Sequence, residues 1–260
     1  MTELKQTYII CSTMRSGSTL LADLLTNTKI AGNVDEYLRV SVEYNNKSKS
    51  YDYPKYIFNN LQANASENGV SGVKMMWNNF DYLLQKLNKD YCDLNLTDYD
   101  KLEKVFPNIK FIYIYRKNIF RQAISLDKAI QTGRWSVKNI KPNKINNYIL
   151  SPKFVKTAIK KIKKQNQNWE KFFMNNKIKP YRVVYEDFPN NYENVIHDCI
   201  NYLELDNKNY SIKPPTIQKQ SGLLTNSWII YYYLYTFLDY IFPKTFENFR
   251  KLIKKSLYVN

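Results

Sequence analysis

Short apolar runs alternate along this chain with longer stretches in which apolar residues recur every three to four positions. Residues 7–11, 72–77, 109–115 and 181–185 are rich in β-branched and aromatic side chains and are bounded by polar or turn residues, a pattern that predicts buried strands. Helical spacing fills the intervals. It places Leu20, Leu21, Leu24 and Leu25 in 18–27, and Ile119, Ala123, Leu126 and Ile130 in 118–130. Phe154, Ala158, Ile162, Trp169 and Phe173 mark 152–175, and Val195, Ile196, Cys199, Ile200 and Leu203 mark 192–203. Strands alternating with helices predict an α/β fold, a parallel sheet of about four to five strands covered on both faces. Such sheets bind ligands at the carboxyl ends of their strands. That rule gathers residues 12–19 with the segments after Trp77 and Tyr115.

Two stretches fall outside the alternation. Residues 39–68 are polar and weakly patterned, and fit equally a lid over the site or a plain surface insertion. Residues 228–242 form an aromatic run of about 15 residues ending at Pro243, short of the roughly 20 needed to span a bilayer. With Lys251, Lys254 and Lys255 beyond it, this run predicts a C-terminal helix packed on the core, with a peripheral membrane or dimer contact as the functional alternative. The chain therefore divides into an α/β domain, 1–227, and a helical extension, 228–260.

With 260 residues, 44% of them apolar, the chain can bury a full core. Its net charge of +16 favours anionic partners: nucleic acid, a membrane surface or a multiply charged small ligand. Lysines dispersed over helices also serve simply to solvate them. Cys11, Cys92 and Cys199 show no paired spacing, so neither a disulfide framework nor a zinc site is expected. No basic segment followed by an apolar one opens the chain, and a cytoplasmic location is the expectation.

The chemistry concentrates at the strand ends. After the first strand, Arg15-Ser16-Gly17-Ser18-Thr19 leads into a helix. Unpaired N–H groups and the helix dipole there favour a phosphate or sulfate, which makes the sheet P-loop-like. The Gly-Lys-Ser/Thr of an ATP or GTP loop is missing. The third strand delivers Arg116 and Lys117, with Gln122 and Ser125 on the helix that follows. A forked guanidinium and a hydroxyl suit a second phosphate. Glu186 and Asp187, after the fourth strand, are expected to cap a helix.

These stretches resemble the sulfotransferases that use 3'-phosphoadenosine 5'-phosphosulfate (PAPS). Residues 15–20 are similar to their 5'-phosphosulfate loop, 116–125 to their 3'-phosphate site, and Tyr185-Glu186-Asp187 to a later strand end. More narrowly, Gly32-Asn33-Val34-Asp35-Glu36-Tyr37, Gly72-Val73-Lys74-Met75-Met76-Trp77, 122–126, 131–135 and, more weakly, 218–221 with Trp228 resemble the bacterial family typified by trehalose sulfotransferase. The resemblance implies that Arg15, Ser16, Gly17, Ser18 and Thr19 hold the 5'-phosphate, with Arg15 in place of a lysine. It implies that Arg116, Lys117 and Ser125 hold the 3'-phosphate, and that Asp35, Tyr37 and Gln122 lie toward the acceptor. It implies further that the acceptor is a carbohydrate or glycolipid hydroxyl, that the enzyme is a homodimer and that no metal takes part. Many sulfotransferases use a histidine base, but His197 stands late in the chain, outside every ligand-binding segment. A carboxylate is then expected, and Glu36 matches the family's glutamate, with Asp35 its local competitor. Two other classes compete. A P-loop kinase needs the missing lysine and a magnesium-binding aspartate. A basic nucleic-acid or membrane-surface protein explains the charge but not two anion sites, and no specific nucleic acid is expected.

Overall fold

The computed structural model describes residues 3–39, 52–135, 148–205, 210–214 and 224–241, without the side chains of 224–226. Strands β1 (Gln6–Ser12), β2 (Val70–Met76), β3 (Lys110–Tyr115) and β4 (Tyr181–Val184) pair in parallel in the order β2-β1-β3-β4. In this register Ile9 lies beside Val73 and Phe111. Each strand sends alternate side chains to opposite faces. Ile9, Cys11, Val73, Met75, Phe111 and Tyr113 join one buried cluster, and Tyr8, Ile10, Ile112 and Ile114 join another. Both faces are apolar, so both need covering.

Helices α1 (Ser18–Asn27), α2 (Tyr53–Ala63), α3 (Trp77–Asp90), α4 (Asp98–Glu103), α5 (Ile119–Thr132), α6 (Pro152–Asn175), α7 (Tyr192–Tyr202) and α8 (Leu224–Ile241) supply the cover. The first face takes α2, α3, α4 and the Trp169, Phe172 and Phe173 end of α6. The second takes α1 and α7. A flank cluster joins α5 to the Val155, Ala158 and Ile162 end of α6, with Trp228, Ile229 and Tyr232 of α8 packed against it. The expected parallel sheet covered on both faces is thus present, with four strands.

Three helices lay outside the expected set. α2 forms inside the weakly patterned 39–68 stretch, because Asp52 accepts from the Lys55 N–H at 2.9 Å, Pro54 stands in the first turn, and Tyr53, Ile57 and Leu61 share a buried face. This part is neither lid nor surface insertion but core, and residues 40–51 lie outside the described ones. α3 buries Phe80, Leu83, Leu84 and Leu87, and Thr97 with Asp100 forms a capping box that starts α4.

Two contacts fix β1 where it meets the site. The buried Trp169 indole N–H donates to the Ser12 carbonyl at 3.0 Å. The Tyr8 ring occupies the space a Cβ would need at Gly72, its partner in register, and its hydroxyl donates to the Ala31 carbonyl at 2.8 Å.

Candidate active site

β1 ends at Ser12, and the chain then turns tightly, with the Ser16 N–H donating to the Thr13 carbonyl at 3.2 Å. Arg15 and Gly17 take left-handed conformations, φ 64° and 99°. Gly17 is required twice over, since a Cβ there would also run into the Tyr185 ring. α1 starts at once, so its first turn offers donors with no helical acceptor. Among the described residues, the N–H groups of Gly17, Ser18 and Thr19 have no acceptor and the buried Ser16 hydroxyl has no partner. A buried hydroxyl without a partner, beside open N–H groups at a helix N-terminus, fits an oxyanion.

On the β3 side, Arg15 Nε donates to the Ser125 hydroxyl at 3.0 Å and its Nη1 to the Trp135 carbonyl at 2.6 Å. The Arg116 guanidinium stacks over the Tyr185 ring, 4.1 Å from its centroid, and reaches the Arg15 carbonyl at 3.5 Å. Its Nε is buried without a partner among the described residues. Burial lowers the pKa of both arginines, Arg116 lowers that of Arg15 further, and Tyr185 partly offsets this in each. Two buried cations this close repel, and an anion between them would relieve both. Lys117 is mostly exposed, 3.9 Å from Asp187. Glu186 accepts from the Lys117 and Asn118 N–H groups at 3.0 Å each, just ahead of α5. Next to Arg116, Tyr113, Tyr115, Asn166 and Glu170 line an open cleft of about 710 Å³ against α6.

On the β2 side, Lys74 Nζ lies 3.2 Å from Glu36 Oε1 and donates to Thr19 Oγ1 at 3.1 Å. Lys74 is 6% exposed and Glu36 22%. One buried ammonium therefore ties the expected base to the anion loop. Lys74 was not among the expected site residues. Its signal was a lone charge inside an otherwise apolar strand run, which calls for a partner.

Three residues expected toward the acceptor are held by the protein itself. Gln122 is fully buried, its Nε2 donating to Thr13 Oγ1 at 2.9 Å and the Met14 carbonyl at 2.7 Å, so it braces the loop from below. The Tyr37 hydroxyl donates to the Gly72 carbonyl at 2.9 Å and lies 3.2 Å from Ser71 Oγ. Burial pushes its pKa well up. The Asp35 carboxylate turns back to the Glu36 N–H at 2.7 Å, while its carbonyl accepts from the Lys74 N–H at 3.0 Å. Both residues fasten the Glu36 segment to the sheet edge. His197 sits on α7 in contact with the Tyr210 hydroxyl. Among the described residues no group of three or more His, Cys, Asp or Glu could hold a metal ion.

Residues 7–234 match the family model described as Stf0 sulphotransferase. Two relatives share the name trehalose 2-sulfotransferase. The Mycobacterium tuberculosis protein is 21% identical over 85% of this chain and 92% of its own length. The Mycolicibacterium smegmatis protein is 22% identical over the same shares. Among solved structures, a sulfotransferase from Alicyclobacillus acidocaldarius superposes with a TM-score of 0.48 and 13% identity, covering 88% of this chain and 91% of that one.

Proposed function

Because the chain belongs to the Stf0 sulphotransferase family, we propose that it moves a sulfuryl group from PAPS to a carbohydrate or glycolipid hydroxyl, with Glu36 as the base. The observation that carries this reading is Lys74, whose single ammonium contacts both Glu36 and Thr19 of the anion loop. A carboxylate held close to the anion loop supports its reading as the base for a hydroxyl that attacks a loop-bound sulfate.

The division of labour follows from the strand ends. Arg15 and the N–H groups of Gly17, Ser18 and Thr19 grip the 5'-phosphate and offset the charge that grows on the bridging oxygen. Arg116 and Ser125 hold the 3'-phosphate, with Lys117 at the exposed rim. Glu36 takes the acceptor proton as the acceptor oxygen bonds to sulfur. The sulfur–oxygen bond to the phosphate breaks in line, and the leaving phosphate keeps the electron pair. Asp35, Tyr37 and Gln122 act by position: the first two hold Glu36, the third holds the loop. These donors neutralise the leaving phosphate, so the reading includes no metal.

The carbohydrate acceptor is carried over from the mycobacterial relatives' names. A homodimer follows from the family resemblance, and a cytoplasmic location from the unpaired cysteines Cys11, Cys92 and Cys199. The chemistry belongs to residues 1–227, with 228–260 as an extension. The test is transfer of labelled sulfate from PAPS to a panel of sugars and glycolipids, with binding of 3',5'-adenosine bisphosphate and of ATP measured alongside. The reading expects one labelled carbohydrate product and tight, magnesium-independent binding of the bisphosphate alone. Magnesium-dependent ATP binding without sulfate transfer would favour a kinase.

A further inference from the structure

Helix α8 has two unlike faces. Trp228 packs against Tyr148 and Tyr232 against Phe120, with ring centroids 5.5 Å and 4.7 Å apart, fixing the inner face to the flank cluster. On the outer face Ile230, Tyr233, Leu234, Phe237, Tyr240 and Ile241 are between 44% and 87% exposed. Their spacing puts all of them on one side of the helix, in a stripe about 17 Å long. The single charge in α8, Asp239, is not among them. Folded proteins seldom leave such a contiguous apolar surface without an occupant.

Charge indicates which occupant. The chain carries +16. α6 packs against α8, and on its solvent side exposes Lys153, Lys156, Lys160, Lys161, Lys163 and Lys164, with no acidic residue before Glu170. Past α8 the sequence adds Lys244, Arg250, Lys251, Lys254 and Lys255 against Glu247 alone. An aromatic and aliphatic stripe on a chain with this surplus of cations fits an anionic bilayer surface. There, apolar side chains enter the headgroup–acyl boundary, tyrosines sit at the interface, and lysines meet lipid phosphates. A second copy of the chain fits less well, because the stripe has six residues where a stable interface takes about 20–30 a side. It would also bring two basic surfaces together.

We propose that α8 docks this sulfotransferase on anionic lipid bilayers, lying at the interface without crossing. No described helix is long and apolar enough to cross a membrane. The proposal is independent of the acceptor's identity.

The full chain is floated with vesicles of phosphatidylcholine alone, or of phosphatidylcholine mixed with phosphatidylglycerol, at low and high salt. Three proteins are compared: wild type, Leu234→Ser with Phe237→Ser, and Lys160→Glu with Lys164→Glu. Solution mass is measured by light scattering, and circular dichroism checks the fold. Binding is expected only to the mixed vesicles, weakening with salt. The α8 variant should lose about tenfold in bound fraction, with unchanged dichroism and mass. The α6 variant should bind less, with a flatter salt response. Three results would overturn the proposal: no binding to anionic vesicles, binding that the α8 variant retains in full, or an α8 variant whose mass drops from dimer to monomer.

Discussion

Lys74 is a cation inside a buried strand, and its contacts with Glu36 and Thr19 explain why it is tolerated there. Lys74→Met keeps the shape and removes the charge. The variant should lose about 10²–10³-fold in kcat, as when an oriented donor is removed from an anion site. The fold should survive, as judged by thermal denaturation. Turnover close to wild type would assign Lys74 a packing role only. Across the loop, Arg116→Ala should weaken binding of 3',5'-adenosine bisphosphate by about 1.5–3 kcal/mol, the range for hydrogen bonds to charged groups. Adenosine 5'-phosphate, lacking the 3' group, should bind as before. Equal losses in calorimetric titrations of the two would mean that Arg116 is structural. At this scale the placement of the loop, Arg116, Ser125 and Glu36 near one another was legible, because motif order ties them to strand ends. The internal hydrogen bonds of Gln122 and Tyr37 were not, since a polar side chain looks the same in sequence whether it faces a ligand or a buried carbonyl. Only the folded loop above Gln122 and the sheet edge beside Tyr37 supply those partners.

The site elements are joined by two small contacts. Gly17 opens α1 beneath the Tyr185 ring, and Glu186 ties the end of β4 to the Lys117 and Asn118 N–H groups just before α5. Gly17→Ala combines a left-handed backbone with a steric overlap. It should cost about 1–3 kcal/mol in chemical denaturation, with a matching loss of bisphosphate affinity. Burial alone would raise the Glu186 carboxyl, but the Asn118 and Lys117 N–H groups outweigh it and hold its pKa below the ordinary value. A carboxyl depressed in the folded state adds stability above its unfolded pKa and loses it as pH falls through the folded value. Glu186→Gln should therefore flatten the acid limb of the stability–pH curve below about pH 4.5, leaving its shape near neutrality unchanged. A variant curve parallel to wild type at low pH would contradict this. All four strands and the bounds of α1 and α6 were legible from periodicity. α3 was not, although Phe80, Leu83, Leu84 and Leu87 hold helical spacing, because Trp77 reads as the end of β2 when it is the start of the next element. α2 was hidden by tyrosines and asparagines whose one-sided burial depends on the sheet beneath them.

Across the whole molecule, the sheet edge sets the order of the chemistry. Glu36 and Lys74 sit at β2, the anion loop follows β1, Arg116 ends β3 and Tyr185 follows β4. Neighbouring strands lie about 4.8 Å apart, so Glu36 and Arg116 fall on opposite sides of the loop. The +16 charge then has a kinetic use. Raising salt should lower kcat/KM for PAPS while leaving kcat nearly constant, because steering acts on encounter and not on the step itself. The reverse pattern would place the charge in the transition state. Glu36 as the proton acceptor beside the anion loop is the central proposal for this molecule. The direct measurement is labelled-sulfate transfer by Glu36→Gln against wild type, with calorimetric binding of 3',5'-adenosine bisphosphate to both. The account predicts turnover lost by about 10²–10⁴-fold, the span of general-base contributions, with bisphosphate affinity held within a few-fold. Near-normal turnover in that variant, its nucleotide affinity intact, would contradict it.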